Sequence, residues 1–376
     1  MTMRGRYAIA GIGQTEFGTL PGRSTVSLDV EACHAALADA RIEKDAVDGL
    51  YVKTPTSSYT QLYGVKVAEA LGLQPNVVGS WDQGGASTAT MIAMAAMAIE
   101  AGQCETALVS LADNPRSGTR AAYERPIGAS ERQGWFGVIG GYAMVARRHM
   151  EEHGTTSEQL GAISVACRRH GAANPRAQLR RPITIADHQA SALIVEPFRR
   201  DDCCLVSDGA AAVVVTRADR TAAEGAPTAV PILGFGQGNT SWDVALRPDL
   251  TTTAARVSGR IAFEMAGIEP ADVDIAQLYD SFSIVPLMTL EDYGFCRKGE
   301  GGAWVQGGRI EIGGELPVNT SGGLLSETGM PGLQLVLEGV RQLRGDAASL
   351  VESAGVCVVS GQGGAMHTHA TLVLGG

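Results

Sequence analysis

Residues 7–14 read Tyr7-Ala8-Ile9-Ala10-Gly11-Ile12-Gly13-Gln14, an apolar strand pattern closed by a Gly-x-Gly turn. Residues 230–237 repeat it as Val230-Pro231-Ile232-Leu233-Gly234-Phe235-Gly236-Gln237. Each run leads into an Ala-rich amphipathic segment, 28–41 in the first case and 254–267 in the second. Ile42-Glu43 and Val47-Asp48 then match Ile268-Glu269 and Val273-Asp274, with 268 against 42 and 273 against 47 both offset by 226. An apolar strand follows each, Gly49-Leu50-Tyr51 or Ile275-Ala276-Gln277-Leu278. Further on, Gly84-Gly85 opening a small-residue helix answers Gly322-Gly323 opening the run from Leu324, and the strand 106–111 answers 356–360. The growing offset is what loops of unequal length produce.

Strand, helix, strand, helix, strand in both copies predicts a duplicated α/β fold made of two mostly parallel, mixed sheets. The expected units are an N-terminal half at 1–113 and 201–225, an insertion at 114–200, and a C-terminal half at 226–376. The insertion is Arg-rich and helical in pattern, as over 158–170. The first half resumes at Cys203-Cys204-Leu205-Val206-Ser207-Asp208-Gly209 and the strand 211–216, whose counterpart is 365–374.

Composition narrows the function classes. The 376 residues are 45% hydrophobic and 19% charged, with 48 glycines and 5% aromatics, the profile of an α/β enzyme. A net charge of −10 argues against nucleic acid or an anionic membrane as partner. Seven scattered cysteines without C-x-x-C spacing indicate neither disulfides nor a zinc ribbon, so a reducing, cytoplasmic setting is expected. The N-terminus lacks the apolar core of a signal peptide. The uncharged run from Gly84 to Ile99 is too short to span a bilayer and reads as a buried helix. Gly11-Ile12-Gly13 is not a dinucleotide fingerprint, because Glu16 stands where the third glycine belongs.

Four stretches carry candidate chemistry: Ser207-Asp208-Gly209-Ala210-Ala211, Tyr279-Asp280-Ser281-Phe282, Asn319-Thr320-Ser321-Gly322-Gly323-Leu324-Leu325-Ser326, and Gly361-Gln362-Gly363-Gly364. In this order, on a duplicated pattern covering nearly the whole chain, they resemble the thiolase superfamily, in its sterol-carrier-protein and lipid-transfer-protein-like branch. The resemblance implies a five-layered α/β/α/β/α fold, a homodimer, and coenzyme A bound as part of an acyl-CoA substrate, with no covalently held cofactor and no metal. Branch members also work with a small OB-fold, zinc-ribbon partner, implying a heterotetramer.

The family's acylated cysteine sits at a helix N-terminus, where backbone N–H groups and the helix dipole favour a thiolate. Here Gly85 takes its place, and no cysteine lies between Cys33 and Cys104. Val358 stands at the second cysteine, one residue from Cys357, and Gly329 at the family's histidine. Glu327 is near enough in sequence to compensate, or is a solvated carboxylate. Ser87 inside the helix reads as a packing or capping residue. Without those groups thiolysis through an acyl-enzyme is not expected, whereas retro-aldol cleavage needs only a base on a β-hydroxyl and donors for the enolate oxygen.

The turn containing Tyr279 is similar to that of thiolase-like side-chain aldolases, which implies Tyr279 as base with Asp280 beside it. Those aldolases place a second tyrosine in the turn where this chain has Gly329. The glycine turns at Gly85, Gly322, Gly323, Gly361, Gly363 and Gly364 are expected to bind substrate or the oxyanion. His367 and His369 share a strand face and follow a glycine turn, so both are candidates for acid–base work. The arginines of the insertion, Arg168, Arg169, Arg176, Arg180, Arg181, Arg199 and Arg200, are candidates for CoA phosphates or are ordinary solvated and ion-paired side chains. The leading expectation is a cofactor-free carbon–carbon lyase acting on a β-hydroxyacyl-CoA. The alternatives are a thiolase-type acyltransferase and a non-catalytic acyl-CoA-binding subunit.

Overall fold

The computed structural model describes residues 3–119, 132, 137–223, 228–329 and 332–376. Met330 and Pro331, next to Gly329, and part of the insertion lie outside them. The described strands are β1 (Tyr7–Gln14), β2 (Gly49–Lys53), β3 (Val77–Trp81), β4 (Thr106–Asp113), β5 (Leu193–Val195), β6 (Phe198–Arg199), β7 (Gly209–Arg217), β8 (Val230–Asn239), β9 (Ile275–Gln277), β10 (Val356–Gly363) and β11 (Thr368–Gly375).

β5 and β6 form a small hairpin in the insertion, and the other nine join in the order β3-β2-β4-β7-β1-β8-β11-β10-β9. The duplication is visible in that order: β1, β7, β4, β2 are matched by β8, β11, β10, β9. A counterpart of β3 survives only as the parallel bridge between Ala276 and Val318. The two halves touch edge to edge through just Ala8–Pro231 and Ile9–Val230.

Parallel pairing is confined to β2–β3, β2–β4 and β9–β10. This corrects the expectation of mostly parallel sheets. The closing strand of each half, β7 or β11, inserts between two neighbours and runs antiparallel to both.

Helices Thr25–Ala40 and Tyr63–Leu71 cover the outer face of the first half, and Ala255–Ala266 with Ile284–Tyr293 cover the second. Between the halves lie Ser87–Glu100, which packs on β4, β7, β10 and β11, and Leu333–Arg344. The layers therefore run helix, sheet, helix, sheet, helix. Ser87–Glu100 is buried almost throughout, as its uncharged Ala/Met/Thr sequence requires. No helix among the described residues is long and apolar enough to cross a membrane.

The repeated Gly-x-Gly pairs have a packing cause. A Cβ on Gly11 would lie 2.6 Å from Ala40 Cβ, and one on Gly236 would fall against the Ala262 nitrogen at 2.9 Å. Bare glycine lets each outer helix sit directly on its strand.

Gly322-Gly323 opens only the single turn Gly323–Ser326; the long helix of the second half begins at Leu333, after Gly332 at φ +90°. The insertion contributes helices Gly137–His153, Ser157–Ala173 and Ile185–Ala190. Two buried pairs tie it down. His149 Nε2 lies 3.0 Å from Glu291, and His188 Nε2 lies 2.9 Å from Asp202, which also accepts from Ser283 Oγ at 2.7 Å.

Candidate active site

A cavity of about 1260 Å³ opens where the C-terminal ends of β2, β9 and β10 meet the insertion. Its wall includes Lys53 at the end of β2, Gly84 and Gly85 ahead of the central helix, Tyr279, Ser281 and Phe282 after β9, and Gln362 to Gly364 at the end of β10. The insertion supplies Tyr142, Ile139 and Arg168. Ligand sites at the carboxyl ends of strands are the rule for α/β sheets.

Tyr279 is 8% exposed and leaves β9 with its backbone N–H on Ser360 Oγ at 2.9 Å. The preceding residue is held from the other side. Asn319 accepts from the Leu278 N–H at 2.7 Å and donates to the Leu278 carbonyl at 2.8 Å, so one side chain does the work of a missing strand neighbour. Asn319 adopts φ +54°, a region that asparagine tolerates better than most residues.

The Tyr279 ring fills the space that a side chain at position 85 would take. A Cβ on Gly85 would lie 2.6 Å from Tyr279 Cζ, closer still to Cε2, and 2.7 Å from the Gln362 carbonyl oxygen. A cysteine at 85 and this tyrosine therefore exclude each other sterically. At position 329 the obstacle is backbone: a Cβ would fall on the Leu205 carbonyl. Positions 85 and 329 are thus both closed to a side chain in this protein.

Asp280 points away from the cavity. It is fully buried and accepts the N–H groups of Leu324 at 2.8 Å and Leu325 at 3.2 Å, capping the turn Gly323–Ser326. Burial raises its pKa to about 7, against the lowering effect of those donors. Gly323 gives that carboxylate room, since a Cβ there would lie 2.7 Å from Asn319 Nδ2 and closer to Asp280. Gly322 packs against Gly171 of the insertion; neither it nor Gly323 lines the cavity.

Of the β10 glycines, Gly363 and Gly364 line the cavity, while Gly361 sits behind it against the Gly85 carbonyl. His367 and His369 are not brought into the wall. His367 lies behind Gly364 with its ring 5.5 Å from that of Trp242. Burial, with Arg247 nearby, lowers its pKa to about 4. His369 faces the outer helix, where Ser258 Oγ is 2.9 Å from its Nδ1, and burial takes it down to about 3.

Glu327 is buried rather than solvated. It accepts from Ser321 Oγ at 2.7 Å and Asn174 Nδ2 at 3.1 Å, outside the cavity wall. Ser87 accepts from the Gln83 N–H at 2.7 Å, which fixes the turn before Gly84. Cys357 Sγ faces the inner helix near Gly339.

Tyr142 escaped sequence reasoning. Tyr142 and Gln362 meet at 2.5 Å although 220 residues apart in sequence, and only a three-dimensional arrangement relates them. Arg168, Arg181 and Arg200 line the cavity, with Arg168 3.4 Å from Asp201. By contrast, Arg169 pairs with Glu311, and Arg176 approaches Glu327 at 4.0 Å.

Residues 236–376 match the family described as thiolase C-terminal domain-like. The 17-hydroxy-3-oxo-4-pregnene-20-carboxyl-CoA lyase of Mycobacterium tuberculosis is 38% identical over 96% of this chain and 97% of its own. A steroid side-chain-cleaving aldolase of Thermomonospora curvata is 37% identical over 92% of each. A solved structure of an Ltp2-ChsH2(DUF35) aldolase superposes with a TM-score of 0.91 at 35% identity, over 99% of this chain and 98% of that one.

Proposed function

The chain belongs to the thiolase superfamily, and on that premise we propose that it cleaves the Cα–Cβ bond of a β-hydroxyacyl-CoA by a retro-aldol reaction. The observation that carries this reading is the Tyr279 ring standing in the space of a side chain at Gly85. An acyl-enzyme has no nucleophile at that position, while a phenol faces the cavity instead.

In this mechanism Tyr279 accepts the proton of the β-hydroxyl, and the Cα–Cβ electron pair moves into a CoA enolate. Backbone N–H groups at Gly85, Gly363 and Gly364 hold the enolate oxygen. Arg168, Arg181 and Arg200 draw the phosphates of coenzyme A, which enters as part of the substrate. The two relatives are named for steroid substrates, and a cavity of about 1260 Å³ suits an acyl group of that bulk.

The active assembly in this reading is a homodimer that carries a small OB-fold, zinc-ribbon partner on each copy. Edge strand β3, with Val78 exposed and Leu62 and Val65 exposed on the adjoining segment, favours the self-association. The partner is favoured by the name of the solved aldolase, which pairs the enzyme with a DUF35 protein.

Tyr279→Phe tests the reading in the purified complex. It is expected to abolish release of the carbonyl product while CoA-ester binding and melting temperature hold. Cleavage at the wild-type rate would refute the assignment.

A further inference from the structure

Among the described residues, one other phenol lines the cavity. Tyr142 enters from the insertion helix Gly137–His153, its ring 4.5 Å from that of Phe282, which in turn stacks on Phe198 at 5.1 Å. Its hydroxyl lies 2.5 Å from Gln362 Oε1 and 2.5 Å from the Gly364 carbonyl, and Gln362 Nε2 donates to that same carbonyl at 2.6 Å. The phenol is thus pinned to the β10 turn whose glycines face the cavity. It has one proton for two acceptors, and the Gly364 carbonyl keeps the Gln362 Nε2 donor whichever of them the phenol chooses. That arrangement lets the proton swing away from either without stranding a donor.

An enolate formed in this cavity has to be protonated at carbon before the product leaves. Its oxygen is held beside the β10 turn, and its α-carbon is two bonds from that oxygen. Tyr279 is occupied on the β-oxygen.

We propose that Tyr142 is a second catalytic residue, delivering the proton to the α-carbon of the nascent CoA enolate and removing it in the reverse direction. This rests on the retro-aldol reading. The β-hydroxyl O–H breaks and its proton goes to Tyr279. The Cα–Cβ pair becomes the enolate double bond, and a Cα–H bond then forms with the Tyr142 proton as the thioester carbonyl returns. The Tyr142 phenolate then takes a proton from solvent, and Tyr279 returns its own to solvent. Protons and electrons balance without a metal or redox partner. Burial holds the Tyr142 pKa well above its ordinary value, so the phenol keeps its proton until a strongly basic carbanion meets it.

The test uses propionyl-CoA, which has no β-hydroxyl, so its outcome is independent of whether cleavage itself is observed. Protein and propionyl-CoA are incubated in D2O, and deuterium at the α-carbon is followed by mass spectrometry. Wild-type protein is expected to exchange, and Tyr142→Phe to exchange about 100-fold more slowly or worse. Phenylalanine preserves the ring packing on Phe282, so CoA-ester affinity and melting temperature should be maintained. The proposal is overturned by exchange in Tyr142→Phe within about threefold of wild type. A wild-type protein that does not exchange overturns it as well. So does loss of CoA-ester binding in the variant, which would assign the hydroxyl to shaping the turn alone.

Discussion

Replacing Gly85 by alanine adds one methyl group in the space that the Tyr279 ring fills. That carbon would stand 2.6 Å from Tyr279 Cζ, where ordinary carbon–carbon contact begins near ~3.5 Å. The ring must therefore retreat by about 1 Å. It has little freedom to do so, because its backbone N–H is bound to Ser360 and Leu278 is clasped by Asn319. Overpacking of this kind costs about 1–3 kcal/mol, and a displacement of about 1 Å at a reacting group costs about 100-fold in rate.

Gly85→Ala is expected to lower kcat for cleavage by about that factor, with a smaller change in KM and a melting temperature a few degrees lower. Denaturant unfolding of Gly85→Ala, Tyr279→Ala and the double variant should show a coupling of about 1 kcal/mol, as the second substitution relieves the first. The relief is partial, since the Gln362 carbonyl still lies 2.7 Å from the new methyl. Wild-type kcat in Gly85→Ala, or strict additivity of the two substitutions, would refute the claim that ring and side chain compete for one space.

Gly329→Ala should unfold more readily than Gly85→Ala, because its methyl falls on the Leu205 backbone carbonyl rather than on a ring; urea midpoints compare them directly. His149→Leu removes the partner that bridges Thr155 Oγ1 at 2.8 Å and Glu291 Oε2 at 3.0 Å, and is expected to cost about 2–3 kcal/mol in the same assay. Lys298, 3.2 Å from Glu291, limits the loss. For Asp280 the folded pKa of about 7 lies above the unfolded value, so the folded state holds the proton more tightly. Its contribution therefore favours folding at low pH and is lost as pH rises from about 4 to about 7. Asp280→Asn should flatten that part of the stability profile, measured as urea midpoints at pH 5 and pH 8.

The repeat was legible because packing imposes it locally: each Gly-x-Gly pair is the contact between a strand and the helix that follows it. Strand direction was less legible. The sequences of β7 and β11 read like any apolar strand, and nothing within them states that they insert antiparallel between two others. Tyr279 and Gly85 could each be read as an odd residue in a familiar turn. That the ring of one fills the side-chain space of the other depends on contact across about 190 residues of chain. Tyr142 was invisible for the same reason, since its role depends on partners at 362 and 364. His367 and His369 drew attention through residue type and spacing, but burial between sheet and outer helix is not written in two residues.

If Tyr279 acts where covalent acyl transfer would need a nucleophile, one turnover of a β-hydroxyacyl-CoA in the absence of free coenzyme A, followed by mass spectrometry of protein and products, shows it. Retro-aldol cleavage gives a carbonyl product, a shortened acyl-CoA and unmodified protein. An acylated protein, or turnover only when free coenzyme A is supplied, would contradict it.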